Sequence, residues 1–591
     1  MHITGFLQVG VRRTVSSVLS TLLVVALLFA SAGCDAAEQD VARTASSDPS
    51  FEWFEYTGND VIFADSVAGP GEYQNPILTG FYPDPSIVRA EDQYYLVNST
   101  FTYFPGIPIF RSGDLVNWEQ IGNIIDRPDQ LDFSDIGTSR GIFAPAIEYN
   151  DGLFYLLTTC VDCGGNFVVT AEDPAGPWSD PTWLPEVGGI DPSLYFDDDG
   201  RAWVLNNDAP IGRPLYDGHR AIWIQEFDPE TLQTFGERTL IVDGGIDITQ
   251  EPVWIEGPHI TKVDGWYYLT AAEGGTSVNH SQVVLRSREV TGPYEPWDRN
   301  PILTQRDLDP DRPDPITSAG HADMVVTQND EWWATFLAVR PYEDNYYNTG
   351  RETFLLPVEW VDGWPVILPL GERIPFKLDR PDLPADPEPA IPTTGNFTFR
   401  DEFDGPDLPP NWMMIRTPTE EWYDFTSNPG ALTLRARPEH IGAVEQPSYL
   451  GRRQQHMVAS ATTLMHYAPE QEGDRAGIVA FQSDNFYYKM TVTLDGDDQV
   501  IQLHRAAGQG EGPNPTLVAS APLDGPVGEP IYLRIDADRD SYDFLYGYDP
   551  DEMVTLEANL DGKILSTEVS GGFVGVTFGV YAYSEGDAAA E

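Results

Sequence analysis

One short sequence phrase occurs five times in the chain and limits the folds that it can adopt. The first copy is Asp84-Pro85-Ser86-Ile87, followed by an acidic turn and the run Tyr94-Tyr95-Leu96-Val97. Looser copies, each followed by a turn and a second apolar or aromatic run, are Ala144-Pro145-Ala146-Ile147, Asp191-Pro192-Ser193-Leu194, Gly257-Pro258-His259-Ile260 and His321-Ala322-Asp323-Met324. Each copy is typical of two short strands joined by a tight turn. A period of about 50 to 65 residues indicates a radial or stacked array of such units.

Five such units predict a five-bladed β-propeller. In this fold antiparallel blades surround a central channel, and the first strand of every blade lines that channel. Equivalent positions in the repeats should therefore point towards one axis. Those positions hold Asp84, Ala144, Asp191, Glu256 with Gly257, and His321. Internal symmetry alone thus predicts one pocket that contains three carboxylates and a histidine.

Composition supports an all-β fold and narrows the kinds of ligand. Period-two alternation predominates over helical patterns, and 591 residues are enough for two or three domains. The formal net charge of −59 gives a surface that repels nucleic acid and anionic membranes, so we expect neither as a partner. Such a surface suits a neutral substrate. It is equally consistent with an ordinary acidic secreted protein and with adaptation to a salty medium.

The N-terminus, residues 1–34, is typical of an export signal. Arg12 and Arg13 precede an apolar run, Val18 to Ala30, that is short for a membrane span. Cleavage before Cys34 would leave a cysteine for lipid attachment, which predicts a bacterial cell-envelope protein whose only membrane contact is that anchor. Cleavage after Ala32, releasing the protein to the periplasm or the medium, is the competing interpretation. In an oxidising compartment the other two cysteines, Cys160 and Cys163, favour a local disulfide over a redox centre.

The rest of the chain divides into two predicted domains and their connections. The stretch from Asp379 to Pro389 is rich in proline, which favours a stiff, extended linker. Beyond it, alternating runs separated by turns rich in Asp and Gly predict a β-sandwich. The predicted order is a tether and a segment packing on the first domain at 35–72, the propeller at 73–378, the linker at 379–395, the sandwich at 396–585 and a disordered tail at 586–591.

The three carboxylates of the predicted pocket suit the hydrolysis of a glycosidic bond. One carboxyl group protonates the leaving oxygen, while the other activates water or attacks the sugar. A third carboxylate nearby raises the pKa of the acid and keeps it protonated near neutrality. Taken singly, Asp84 and Asp191 are also typical turn residues before proline, and Glu256 an ordinary paired strand residue. Their shared register in one repeat favours catalysis.

The motifs around these residues resemble glycoside hydrolase family 43. They are Phe81-Tyr82-Pro83-Asp84-Pro85-Ser86, Gly141-Ile142-Phe143-Ala144-Pro145, Gly189-Ile190-Asp191-Pro192-Ser193-Leu194 and Glu256-Gly257-Pro258-His259-Ile260. The resemblance implies a five-bladed propeller and an inverting mechanism, with Asp84 as general base, Asp191 as the residue that tunes the acid's pKa, and Glu256 as general acid. Inversion requires roughly 6.5–9.5 Å between the carboxyl groups of base and acid, whereas about 5 Å would indicate a retaining nucleophile.

Within that family, the segment from Asn98 to Trp118 is similar to the β-xylosidase branch, whose members carry a C-terminal sandwich. This resemblance implies that Phe101 and Phe143 contact the terminal sugar, that Arg340 binds its hydroxyls, and that Phe573 closes one end of the pocket. The expected activity is release of xylose from the non-reducing ends of β-1,4-xylo-oligosaccharides. An α-L-arabinofuranosidase acting on arabinoxylan or arabinan side chains is the nearest alternative. A glycan-binding surface protein without turnover is a third hypothesis.

His321 has three interpretations. A neutral imidazole on the channel axis could hold Ca²⁺ or Na⁺ through water, as the resemblance implies for many members of the family. It could also hydrogen-bond the substrate, so that His321 counts as a substrate-binding residue, or simply fill the ring. No cofactor is expected to be required, and the sequence predicts no particular oligomeric state.

Overall fold

The structure is a computed structural model that describes residues 47–586. The predicted export signal, the lipidation site Cys34, the first part of the predicted tether and the tail from residue 587 lie outside the described residues. Within residues 47–586, no helix has the length and apolar character needed to span a bilayer.

The prediction of a five-bladed β-propeller followed by a β-sandwich is confirmed. Five antiparallel sheets follow one another along the chain, which we number blades 1 to 5. Blade 1 contains Ser86–Ala90, Gln93–Val97, Gly106–Ser112 and Glu119–Ile125. Blade 2 contains Ala146–Asn150, Leu153–Val161, Gly165–Ala171 and Thr182–Trp183, with Gly141–Ile142 added beside Leu153–Val161. Blade 3 contains Ile190–Phe196, Ala202–Asp208, Ala221–Asp228 and Gln233–Asp243.

The last two blades complete the ring. Blade 4 contains Glu256–Val263, Trp266–Glu273, Ser281–Ser287 and Glu295–Pro296, with Leu303–Thr304 added beside Ser281–Ser287. Blade 5 contains Thr317–Val326, Trp332–Val339, Glu352–Val361 and Trp364–Val366. The first strands of blades 1 and 5 meet where the Ser86 hydroxyl and the Ile87 N–H both donate to Asp323, at 2.8 and 2.9 Å. This contact joins the first blade to the last, so the five sheets form a closed ring.

Two large sheets form the sandwich. One has the strand order Tyr423–Asp424, Leu432–Leu434, Ser50–Gly58, Val458–His466, Ile531–Asp538, Ser541–Gly547 and Val554–Asp561, with Thr398–Asp401 beside Ser50–Gly58. The other has the order Thr516–Pro522, Asp498–Ala507, Phe486–Asp495, Arg475–Ser483, Thr577–Tyr583, Ser448–Arg453, Met413–Ile415 and Tyr103–Phe104. Its last strand comes from the propeller, so a sheet of the sandwich runs into the first domain.

Short elements connect these sheets. Glu72–Gln74 pairs with Lys377–Asp379. The described residues contain two short α-helices, Val61–Asp65 and Thr567–Ser570, and two 3-10 helices, Ile248–Gln250 and Gly562–Leu565. The predicted linker, 379–395, has no helix or strand after Asp379. It lies against blade 1, where the Arg380 side chain and the Asp386 N–H both donate to Asp114.

The N-terminal segment corrects the sequence-based prediction. Residues 35–72 were expected to be a tether and a segment packing on the first domain. Instead, Ser50–Gly58 is an interior strand of the sandwich, paired with Leu432–Leu434, Thr398–Asp401 and Val458–His466. The physical reason is burial, since Phe51, Phe54 and Tyr56 are fully enclosed in the sandwich core.

Candidate active site

All the predicted site residues except Arg340 line one cavity of about 450 Å³ at the propeller axis. Its polar lining includes Asp84, Asp191, Glu256, His321, Thr276 and two arginines, Arg140 and Arg351. Its apolar lining includes Phe101, Phe143, Trp254 and Phe573. The three carboxylates and the histidine expected from internal symmetry thus meet at one site. Both domains contribute to it, because Phe573 belongs to the sandwich.

The inner strands share a backbone feature at the positions that the repeat predicted. Asp84, Asp191 and His321 have positive φ angles of 53°, 54° and 52°, and the matching residue of blade 4 is Gly257, at 56°. A left-handed conformation is uncommon for residues other than glycine and is found where surrounding structure imposes it, often at functional sites. In blades 3, 4 and 5 the register also shifts just after these positions. Such irregularities redirect side chains relative to a regular strand.

Asp84 is held as a carboxylate by a cation. Arg351 donates to it from both terminal nitrogens, at 2.8 and 3.4 Å, and the Ser99 hydroxyl donates at 2.7 Å. Burial acts to raise the pKa of Asp84, but the Arg351 guanidinium and the hydrogen bond from Ser99 outweigh it and lower the pKa below its usual value. Asp84 is therefore ionised near neutrality, as a general base must be.

The other two carboxyl groups are shifted in the opposite direction. Burial, and next the negative charge of Asp84, raise the pKa of Asp191 to about 7, although the Gly257 N–H donates to it at 3.0 Å. Burial, followed by the charges of Asp191 and Asp84, raises the pKa of Glu256 well above its usual value. Glu256 is therefore protonated where Asp84 is ionised. One cavity thus presents a base and an acid at the same pH.

An aromatic cluster covers one side of the cavity. Phe101, Phe143 and Phe573 lie with their ring centroids 5.5–6.0 Å apart, and the rings of Phe101 and Phe573 are stacked. The sandwich supplies Phe573, whose N–H donates to the Ser139 hydroxyl of the propeller at 3.0 Å. The sequence-based placement of these three residues beside the carboxylates therefore agrees with the structure.

Arg340 does not line the cavity, which corrects its predicted role in sugar binding. Its guanidinium is 2% exposed and is paired with Asp60 at 2.6 Å and with Glu352 at 2.7 Å. Both carboxylates are themselves buried, so the positive charge of Arg340 is neutralised by ion pairs in the protein interior. The arginine of blade 5 that lines the cavity is Arg351, directly before the next strand, Glu352–Val361.

His321 lies at the axis, and the side chains that the structure describes around it do not form a site for directly bound metal. Its ring packs against Gly257, and burial lowers its pKa to about 4, so it is neutral near pH 7. Among residues 47–586, no group of three or more His, Cys, Asp or Glu side chains could hold a metal ion. The positive charge beside Asp84 is supplied by Arg351. The donors present therefore do not fit a directly bound Ca²⁺, which prefers six to eight oxygen ligands.

Several lining residues were missed in the sequence. Arg351, Thr276, Trp254 and Arg140 come from turns outside the repeated phrase, so internal symmetry does not single them out. The one available signal for Ser99 was its place directly after the second strand of blade 1, at the same end as Asp84. The disulfide between Cys160 and Cys163 was expected, and it is formed.

Comparisons with known proteins agree with this geometry. Residues 73–365 match "Glycosyl hydrolases family 43", and residues 400–591 match "Beta xylosidase C-terminal Concanavalin A-like domain". A Butyrivibrio fibrisolvens protein named "Xylosidase/arabinosidase" is 41% identical over 87% of this chain and 96% of its own length. A Bacteroides ovatus protein named "Non-reducing end alpha-L-arabinofuranosidase BoGH43B" is 35% identical over 87% of this chain and 92% of its own length.

A solved structure is similar throughout both domains. It is titled "Crystal structure of a GH43_12 retrieved from capybara gut metagenome" and superposes with a TM-score of 0.83 at 41% identity, covering 92% of this chain and all of the other. A family 43 domain and the C-terminal sandwich domain both match this chain, and relatives similar to it span nearly its whole length. The chain belongs to glycosyl hydrolase family 43 and is a glycoside hydrolase.

Proposed function

We propose that the enzyme is an inverting, exo-acting β-xylosidase that releases xylose from the non-reducing ends of β-1,4-xylo-oligosaccharides. The observation that carries this proposal is the opposite ionisation of Asp84 and Glu256 in one cavity. Both groups are then in the state that a single displacement by water requires.

Each carboxyl group has one step in this mechanism. Glu256 donates its proton to the glycosidic oxygen as the bond to the anomeric carbon breaks. Asp84 removes a proton from the water that attacks the opposite face of that carbon. Burial and the negative charge that Asp191 gains as the pH rises past about 7 keep Glu256 protonated, and Arg351 keeps Asp84 ionised. The product leaves with inverted configuration, after which Asp84 releases its proton to solvent and Glu256 takes one up from solvent.

The aromatic cluster supports exo action. Phe573 from the sandwich stacks against Phe101, and its backbone N–H is hydrogen-bonded to Ser139 of the propeller. The two rings therefore cover the cavity on that side. A pocket closed at one end accepts a chain terminus but not the middle of a chain. Only one sugar at a time would be released.

Proton NMR of the reaction tests both the substrate and the stereochemistry. With xylobiose, the first xylose signal from the non-reducing unit should be the α-anomer, with the β-anomer appearing later by mutarotation. Initial β-xylose would show retention and would overturn the assigned roles of Asp84 and Glu256.

An α-L-arabinofuranosidase is the second candidate, because the two relatives compared above carry arabinosidase or arabinofuranosidase in their names. The ratio of kcat/KM for 4-nitrophenyl α-L-arabinofuranoside to that for 4-nitrophenyl β-D-xyloside decides between them. A protein that bound xylo-oligosaccharides but hydrolysed neither compound would instead be the glycan-binding protein considered above.

We further propose that the protein is exported and anchored through a lipid on Cys34, as the N-terminal sequence predicts. Labelling of cells with a radioactive fatty acid should mark the wild type and not the Cys34→Ala variant. A cation held near His321 through water stays a separate prediction, supported by the axial position of the ring. Chelation that left kcat/KM unchanged would contradict it.

A further inference from the structure

We propose that the enzyme has an outer sugar-binding subsite, separate from the catalytic cavity, in which Trp183 is the platform for a distal xylose unit of the leaving chain. This inference rests on the proposed β-xylosidase function. The subsite lies in a second cavity of about 390 Å³, lined by Leu131, Asp132, Asp135, Asp162, Cys163 and Trp183 among others, which we call the outer cavity.

Arg140 lies on the exposed side of the catalytic cavity. Of the residues that line the catalytic cavity, Arg140 alone is exposed, while the others are buried or partly buried. Phe573 and Phe101 cover another side. In the proposed arrangement, a chain whose terminal sugar sits beside the carboxylates leaves past Arg140, the most exposed residue of the lining.

A single ion pair joins the walls of the two cavities. Arg140, which lines the catalytic cavity, donates to both carboxylate oxygens of Asp162, which lines the outer cavity, at 2.7 and 3.2 Å. The Arg140 guanidinium also lies 5.9 Å from the ring centre of Phe143. A chain that passes Arg140 thus reaches Asp162 and then Trp183.

The indole of Trp183 is held in place rather than left mobile on the surface. It packs edge-on against Phe167, with 5.2 Å between ring centres. Its six-membered ring also lies directly over Gly164, where a Cβ atom would come within 2.4 Å of it. Gly164 belongs to the turn that the Cys160–Cys163 disulfide closes, and Asp162 is in the same turn. The disulfide therefore fixes Trp183 and Asp162 relative to each other.

The chemistry of the outer cavity suits a neutral sugar. Trp183 is 36% exposed, so part of an aromatic face remains open to a ligand. Three carboxylates surround it, from Asp132, Asp135 and Asp162, and each can accept hydrogen bonds from sugar hydroxyls. An aromatic face with a few polar groups at its rim is typical of a ligand subsite. The same carboxylates would repel a chain that carries uronic acid groups.

The test is the dependence of kcat/KM on chain length in the Trp183→Ala variant. Xylotetraose should lose about tenfold in kcat/KM, because the variant removes apolar contact with a distal unit. Xylobiose and 4-nitrophenyl β-D-xyloside, which have no distal xylose unit, should change by less than about twofold. Trp183→Phe keeps a flat aromatic face and should restore most of the loss.

The control is Trp53→Ala. Trp53 lies in the sandwich, where it packs on Arg400 and Tyr532, and it should leave the kcat/KM values of all three substrates unchanged. Equal losses for long and short substrates in Trp183→Ala, or no loss at all, would overturn the subsite while leaving the β-xylosidase function intact.

A binding measurement keeps the two proposals separate. In the Glu256→Gln background, calorimetry should show tighter binding of xylotetraose than of xylobiose, and the added Trp183→Ala change should remove that difference. Wild type that hydrolyses no xyloside would sink the proposed function, whereas the calorimetric comparison would still decide the subsite.

Discussion

Replacement of Arg351 by methionine removes the cation that keeps Asp84 ionised. The guanidinium donates to the two oxygens of Asp84 at 2.8 and 3.4 Å, and the side chains are only 7% and 8% exposed. At a charge separation of about 4 Å and an effective dielectric constant of about 20, the attraction is roughly 4 kcal/mol, or about three factors of ten in the protonation equilibrium. Without it, burial dominates, so Asp84 should protonate at a higher pH than in the wild type.

The assay is the pH profile of kcat/KM with 4-nitrophenyl β-D-xyloside. The acidic limb should move to higher pH by about 2–3 units, with a loss of at most about 10² at pH 5 and a smaller loss at pH 8. Arg351→Lys keeps the charge and should leave the limb near its wild-type position, even if weaker sugar binding raises KM. An unchanged acidic limb in Arg351→Met would refute the argument that Arg351 sets the ionisation of Asp84.

The pH dependence of the unfolding free energy should reflect the same shift in the pKa of Asp84. Because the pKa of Asp84 is lowered in the folded state, its ionisation stabilises the fold above the unfolded pKa, and this stabilisation is lost as the pH falls through the folded pKa. The difference in unfolding free energy between the wild type and Arg351→Met should therefore be largest near pH 7. It should shrink as the solution is made acidic, which urea unfolding at several pH values would show.

Four further changes test the other parts of the site. Glu256→Gln should lower kcat for xylobiose by about 10²–10⁴, but affect 4-nitrophenyl β-D-xyloside less because nitrophenolate leaves without a proton; equal losses would contradict its role as acid. Asp191→Asn removes a negative charge that raises the pKa of Glu256, so the alkaline limb of kcat/KM should move to lower pH. Phe573→Ala should open the covered end, and products longer than xylose should appear from xylohexaose by chromatography. Arg340→Met should cost about 3–5 kcal/mol in urea unfolding, because it leaves two buried carboxylates unpaired, yet preserve kcat of the folded enzyme.

Internal repetition made the catalytic residues predictable. Asp84, Asp191 and His321 occupy one register of the repeat, and blades of a closed ring carry equivalent positions to one axis. The match is not perfect at blade 4. There the left-handed position is Gly257, and the carboxylate is one residue earlier, at Glu256. The sequence could still place Glu256, since a shift of one residue at the start of an inner strand leaves it at the axis.

The choice between Arg340 and Arg351 could not be made from the sequence. One residue follows the second strand of blade 5 and the other precedes the third, so both lie at the same end of a hairpin. What separates them is a contact with Asp60, which is 280 positions from Arg340. Strand pairing over similarly long separations places Ser50–Gly58 in the sandwich. Alternation predicts that a segment is a strand, but it does not specify a partner strand hundreds of residues away.

Partners, rather than the extent of burial, decide which carboxyl group is the base. Asp84 is the more enclosed of the two reacting residues, at 6% exposure, while Glu256 is only partly buried. Burial alone raises the pKa of both groups. The direction is reversed for Asp84 because it faces Arg351 and Ser99, whereas the strongest charges acting on Glu256 are those of Asp191 and Asp84.

The sandwich contributes to this reversal even though all three carboxylates come from the propeller. Arg351 follows Gly350, whose Cα packs against the backbone of Gly575 so closely that a side chain would not fit. The Val576 N–H also donates to the Asn348 carbonyl at 2.8 Å. The sandwich segment that supplies Phe573 thus also fixes the turn that carries Arg351. The propeller provides the acid and the base, and its contact with the sandwich holds the cation that makes one of them ionise.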